Sequence, residues 1–368
     1  MDMDQSTSGF FNPVYQWQRA ALDETFATIG RFSHFPTLYQ RAKRIRKGVS
    51  PSEVVYEEDR LKLLHYHSDQ KPRHRTPLVF IYALVNRPYI LDLKKSRSVV
   101  ANFIDGGFDT YLVDWGVPTY ADRHLTLDDY VNGYMCNVFD YVRERTGSEQ
   151  VNVLGYCMGG TMSAMFTALH PDRIKNLILL AAPIDFASND SLLNLWSRPE
   201  NFDVDKFVDT FGNCPPEFLQ TTFLLLRPVG NFIEKPISFY ENMHQEKFLE
   251  DFLTTETWLN DNIPVPGEVY REFVKYLYQK NLLTQNRMPV GKRIVNLKNI
   301  TCPVMNIMAD QDDLVPCSQG TPFTDLVGSK DRKTILLSGS GHIGLAIGSR
   351  AQKEVWPVAR EWLAKRSE

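Results

Sequence analysis

Cysteine is scarce in this sequence. The five residues, Cys136, Cys157, Cys214, Cys302 and Cys317, are odd in number, irregularly spaced and without a CxxC pair. This excludes a disulfide-stapled scaffold and gives no zinc-ribbon or dithiol redox motif, so a reducing, cytoplasmic setting is expected. Long hydrophobic runs are missing as well. The longest, near Leu177–Pro183, is strand length, well short of the roughly 20 residues that span a bilayer, and no membrane span is expected. The first residues, MDMDQSTSGF, are acidic and lack the apolar core of a secretory signal. A dominant charge is absent too: the net charge of -3 gives no reason to expect nucleic acid or a membrane surface as partner. Repeats and low-complexity segments are not evident. What remains, 43% hydrophobic and 23% charged over 368 residues, fits a soluble globular chain with one large domain and an insertion, or two small domains.

The chain changes character along its length. Residues 1–52 read as a helical arm carrying Trp17, Phe26, Phe32, Phe35 and Tyr39 and ending in the basic run RAKRIRKG. Its aromatics need a surface, either the body of the protein or a partner. EVVYEEDRLKLLHYH then reads as two short strands around a polar turn. From Pro77 the apolar runs PLVFIYALV, DTYLVDWG, VNVLGYC and LILLAAPID alternate with amphipathic, helix-length segments. Non-alternating runs separated by helices indicate a mostly parallel sheet with helices on both faces. Gly147 stands where a glycine C-cap would end the second helix. The rhythm breaks over 189–297, an aromatic stretch read as a helical cap inserted after the sixth core strand. It returns over 298–368 with CPVMNIMAD, KTILLSGSG and a closing helix, RAQKEVWPVAREWLAKR. The expected architecture is therefore an α/β-hydrolase fold: arm 1–52, core 53–188, cap 189–297 and core 298–368.

The strongest chemical signal is VNVLGYCMGGTMSA, a strand, a glycine-flanked Cys157 and a helix with small residues early. This is a nucleophile elbow with Cys in place of Ser. In so sharp a turn, side chains two before and two after the nucleophile would strike the neighbouring strand or helix, and Gly155 and Gly159 remove that collision. The elbow also sets the nucleophile at a helix N-terminus, where negative charge is favoured. An unremarkable buried thiol is the commoner fate of a lone cysteine; the elbow context outweighs it here. His342, in SGSGHIGLAIG just past the last expected strand, is where this fold places its base, whereas histidines 34, 65, 67, 74, 124, 170 and 244 sit in polar or helical stretches. ADQDDLVP offers three carboxylates. The common arrangement, an Asp four residues before the proline, selects Asp312, with Asp310 the runner-up and Asp313 facing solvent. Met158, and Val85 or Asn86 in the turn after VFIYALVNRP, are the candidate backbone donors of an oxyanion hole.

These residues, with YALVNRPYILDL, LVDWGVP, LTLDDYVNGY, ALHPDRIKNLILLAAPIDF, VDTFGN and GSGHIGLAIGSRAQKEVWP, resemble polyhydroxyalkanoate synthase catalytic subunits of the short class III type, from about Val54 to the C-terminus. The related class IV enzymes, with a different small partner, are the nearest alternative. The sequence departs from the family at Asp313, often His there, and at Ser340, often Gly; the arm matches poorly. The resemblance implies a triad of Cys157, Asp312 and His342 and polymerisation of (R)-3-hydroxyacyl-CoA, 3-hydroxybutyryl-CoA by expectation, with release of CoA. It further implies a growing polyester chain, a separate accessory subunit, a homo-oligomer and a place at the surface of cytoplasmic polyester granules. Neither a metal nor a cofactor is expected, CoA being substrate-borne and a product. A Cys-dependent thioesterase, esterase or polymer depolymerase of the same fold is the enzymatic alternative, and a granule-coating protein on a dead hydrolase fold the non-enzymatic one.

Overall fold

The computed structural model describes residues 47–68, 71–188 and 190–368; the aromatics assigned to the arm lie outside them. Strands β1 (Ser52–Glu58) and β2 (Leu61–Tyr66) form a hairpin, and β2 runs antiparallel to β4 (Thr110–Asp114). β3 (Leu78–Ile81), β5 (Val151–Tyr156), β6 (Ile174–Leu180), β9 (Val304–Ala309) and β10 (Arg332–Leu337) complete an eight-stranded sheet in the order β1-β2-β4-β3-β5-β6-β9-β10. From β4 to β10 all neighbours are parallel. The order doubles back around β3, so the C-terminal ends of β3 and β5 open side by side, the crevice where an α/β sheet presents its site.

Burial explains the sequence pattern. Every residue of β3, β5 and β9 is buried, which is why these strands read as continuous apolar runs. Of the helices that cover the sheet, α1 (Val99–Asp105) is capped by the Ser98 hydroxyl, and α2 (Met135–Thr146) ends at Gly147 in the left-handed conformation, φ 69°. α3 (Met158–Leu169) is buried along its whole length, so it carries no polar face.

Two features differ from the sequence reading. The closing helix is broken into Ser349–Glu354 and Trp356–Ala364, because Pro357 lacks an N–H and belongs in a first turn. The insertion is not wholly helical: β7 (Met288–Val290) and β8 (Arg293–Val295) pair as a hairpin through Gly291, φ 57°. Within the insertion, 190–227 and 258–297 cluster with the α/β body, and Pro228–Thr257 belong to a separate compact unit. That unit has a small core of its own, in which Met243 and Leu249 are buried against Phe239 and Leu253.

Candidate active site

The turn from β5 into α3 holds Cys157 at φ 56°, ψ −129°, a left-handed conformation unusual for a side-chain-bearing residue. Its N–H donates to the Leu180 carbonyl on β6, and its carbonyl accepts from Gly160 N and Thr161 N, so the strained residue is pinned on both sides. A Cβ at Gly155 would come within 2.5 Å of Gly160 Cα and 2.6 Å of Ser163 Oγ on α3. One at Gly159 would lie 2.5 Å from the Tyr82 carbonyl oxygen at the end of β3. The two glycines thus clear opposite flanks of the elbow, and Gly160 clears a third approach, to Ala182. Met158, first in α3, has no intrahelical acceptor for its N–H.

His342 follows β10 and the loop through Gly341, and opens a short helix. Its Nδ1 lies 2.7 Å from Asp312 Oδ2. The Asp312 side chain is 1% exposed and that of His342 13%. The second Asp312 oxygen accepts from the N–H groups of Leu314 (3.0 Å) and Val315 (2.8 Å), so the carboxylate is fully engaged. Asp310 instead accepts from Gly339 N–H at 2.7 Å, and Asp313 pairs with Arg227 at 3.3 Å on the surface. Of the three carboxylates, the structure brings Asp312 to the histidine. Burial by itself would push the His342 imidazolium down. The charges of Asp312 and Cys157, with hydrogen bonds to both, outweigh it and push His342 up to about 10. Asp312 thus holds His342 by a hydrogen bond, and Cys157 is the ring's other electrostatic neighbour.

Tyr156 is a participant that the sequence did not reveal. Its ring stacks on His342 (centroids 5.0 Å apart, planes at 20°), and its hydroxyl donates to the His342 carbonyl at 3.1 Å. In the sequence it is one more buried residue of an apolar strand, and its partner lies 186 positions away. Burial pushes the thiols of Cys136, Cys214, Cys302 and Cys317 up, Cys302 to about 12. All five cysteines are free.

Cys157 opens onto a cavity of ≈ 410 Å³. Val85 and Met158 border it beside the thiol, while Trp196, Phe202, Phe223 and Tyr278 contribute apolar walls from the insertion. Asn86 does not border the cavity; its side-chain amide donates to Asn262 and its backbone pairs with the same residue. Leu314 and Val315, beyond Asp312, form part of the floor.

A glycine-bounded cysteine after β5, a histidine after the last strand and this sheet order are those of an α/β-hydrolase, and residues 76–348 match the alpha/beta hydrolase fold family. A thermophilic esterase from Thermogutta terrifontis shares that fold, with a TM-score of 0.50 at 13% identity over 87% of this chain and 100% of the esterase. Residues 44–103 match the N-terminus of poly-beta-hydroxybutyrate polymerase (PhaC). The poly(3-hydroxyalkanoate) polymerase subunit PhaC of Haloferax mediterranei is 42% identical over 96% of this chain and 70% of its own length. That of Allochromatium vinosum is also 42% identical, over 88% of this chain and 91% of its own length. The chain belongs to the family of PhaC poly(3-hydroxyalkanoate) polymerase subunits.

Proposed function

We propose that this chain polymerises (R)-3-hydroxyacyl-CoA through a thioester on Cys157. The observation that carries the reading is the Asp312–His342 hydrogen bond next to Cys157, at an elbow that opens into an apolar cavity, in a chain of this family. The Cys157 proton resides on His342, in the charge pair that holds His342 up to about 10, and the sulfur attacks the thioester carbonyl of the substrate. The resulting oxyanion is held by the N–H groups of Met158 and Val85. Its collapse breaks the carbon–sulfur bond to CoA, which leaves with the proton from His342. The hydroxyl of a further acyl unit then gives its proton to His342, and its oxygen attacks the Cys157-bound carbonyl. An ester forms and the thiol is released. Thioester for thioester keeps the acyl group activated between steps, which is what a cysteine at this elbow supplies and a serine would not. The apolar walls favour the acyl chain and disfavour water, the competing acceptor.

The word subunit in the relatives' names supports an accessory chain as partner. A water-insoluble product supports work at a granule surface. Among the described residues no helix is long and apolar enough to cross a membrane. The test follows CoA release, polymer and free acid together from 3-hydroxybutyryl-CoA, with and without an accessory subunit. CoA release matched by polymer is expected, and Cys157→Ala, which fits the elbow, abolishes both. Wild-type turnover in Cys157→Ala would refute the catalytic assignment. CoA release matched by free 3-hydroxybutyrate would make the chain a thioesterase.

A further inference from the structure

The hairpin at the outer edge of the sheet carries a second polar centre, separate from the cavity. Register sets Glu53 on β1 directly opposite His65 on β2. The ladder continues one bond further, His67 N–H donating to the Pro51 carbonyl at 2.9 Å. Side chains alternate along a strand, so Glu53, His65 and His67 share one face. The rings of His65 and His67 meet edge to face, 5.8 Å apart.

The protonation of His65 follows from its neighbours. Its Nε2 lies 2.7 Å from Asp109 Oδ1, while Asp109 Oδ2 accepts from the Tyr111 hydroxyl. A carboxylate accepts, so Nε2 carries the proton. In the neutral ring Nδ1 is then a bare lone pair. That nitrogen is enclosed and has no hydrogen-bond partner. It points instead at another electron-rich atom, Glu53 Oε1, 3.6 Å away. Two lone-pair atoms facing one another are repulsive unless a proton or a metal ion lies between them, and the second histidine alongside makes this a ligand set for a metal ion. The possible ligand atoms of Glu53, His65 and His67 all lie within 4.8 Å of one another. Ligands about 2.0–2.1 Å from a tetrahedral zinc ion stand roughly 3.3 Å apart, so small side-chain adjustments close the site.

We propose that Glu53, His65 Nδ1 and His67 bind a divalent cation of the zinc class, with water in the fourth position. Two imidazoles and one carboxylate suit such an ion better than magnesium or calcium. Asp109 is the outer carboxylate that fixes the tautomer and orientation of His65. Arg145, whose Nη2 lies 3.5 Å from Glu53 Oε1, is the competing cation on that carboxylate. Bound there, the ion would staple the edge strand β1 to β2. It takes no part in the acyl chemistry, and its fate is independent of the reading of Cys157.

The test uses the full, tag-free chain, stripped with a chelator and dialysed, and titrated calorimetrically with Zn²⁺ alone. One ion per chain and a rise in Tm are expected, with millimolar Mg²⁺ failing to displace it. His67→Ala and Glu53→Gln alter exposed side chains, and each should weaken binding at least tenfold and erase the rise in Tm. Equal Zn²⁺ affinity in both variants would place the ion elsewhere and overturn the proposal. No binding by the wild type at one equivalent would also overturn it. Displacement by Mg²⁺ would overturn the assigned class of ion.

Discussion

Among the described residues, two histidine–aspartate pairs have the same separation, 2.7 Å, and are used in opposite senses. At the elbow, Asp312 holds Nδ1 of His342, and Cys157 is the ring's other electrostatic neighbour. At the sheet edge, Asp109 holds Nε2 of His65, and Nδ1 addresses the Glu53 carboxylate. A carboxylate on one ring nitrogen does the same physical work in both places: it fixes the tautomer and turns a lone pair toward a third group. The third group decides the outcome. A thiol offers a proton to accept, and the pair becomes a base. A carboxylate offers only another lone pair, and the gap calls for a cation. Surroundings sharpen the contrast, since Asp312 is sealed while Asp109 keeps 20% of its side chain exposed.

The same isosteric substitution at each pair gives the sharpest test. Asp312→Asn should lower CoA release by roughly 10²–10⁴-fold, as expected when a base loses its orienting charge. It should leave zinc binding untouched. Asp109→Asn should leave CoA release unchanged and weaken zinc by about 10–100-fold, the usual cost of losing an outer carboxylate. Measuring both quantities in both variants completes a two-by-two comparison. If either substitution moves both readouts, the two centres are coupled and the contrast drawn above fails. Asp310→Asn is the internal control, since its carboxylate caps Gly339 N–H and not a histidine.

The chain's local chemistry made one of these centres far more legible than the other. Glycines at 155 and 159 and a run of strand-formers into a small-residue helix are local signals, and they marked the elbow before any partner was known. The offset to Pro316 singled out Asp312, the carboxylate that the fold brings to His342. The sheet edge carried no such mark. His65 and His67 looked like polar surface residues, because Asp109 and Glu53 reach them only through strand pairing, which local sequence does not encode. The β7–β8 hairpin escaped for another reason: strands of three residues are too short to show a period. The division of the insertion at 228 and 257 depends on which aromatics pack together, and composition is blind to that.

Alkaline pH should separate the pairs through stability. The folded-state value of His342 stands at about 10, against roughly 6.5 for an unfolded histidine. The folded protein therefore binds the proton more tightly than the unfolded chain. The stabilisation is complete below about pH 6.5 and is lost as pH rises through about 10. Denaturant midpoints of the wild type should fall across that window. In Asp312→Asn the burial that pushes His342 down is opposed less, so the loss should move to lower pH. An unchanged alkaline profile in Asp312→Asn would mean that the carboxylate does not hold the proton on His342.

The smallest expected effect concerns Tyr156, whose counterpart at the edge centre makes a different hydrogen bond. There the ring stacked on the histidine is Tyr111, centroids 4.6 Å apart, and its hydroxyl donates to the same aspartate that holds the histidine. At the elbow the hydroxyl of Tyr156 reaches past the ring to the His342 backbone. The first arrangement orients the carboxylate, whereas the second positions the histidine. Tyr156→Phe keeps the stack and removes one hydrogen bond worth about 1 kcal/mol. If that bond holds the imidazole in line with Cys157, kcat for CoA release should fall about fivefold, with KM little changed and the alkaline limb of the rate profile displaced. If Tyr156 only packs the core, Tm should drop by a few degrees, while turnover per folded molecule and its pH profile stay as in the wild type. A normal profile in a destabilised but fully active Tyr156→Phe enzyme would remove Tyr156 from the catalytic arrangement and leave positioning of His342 to Asp312.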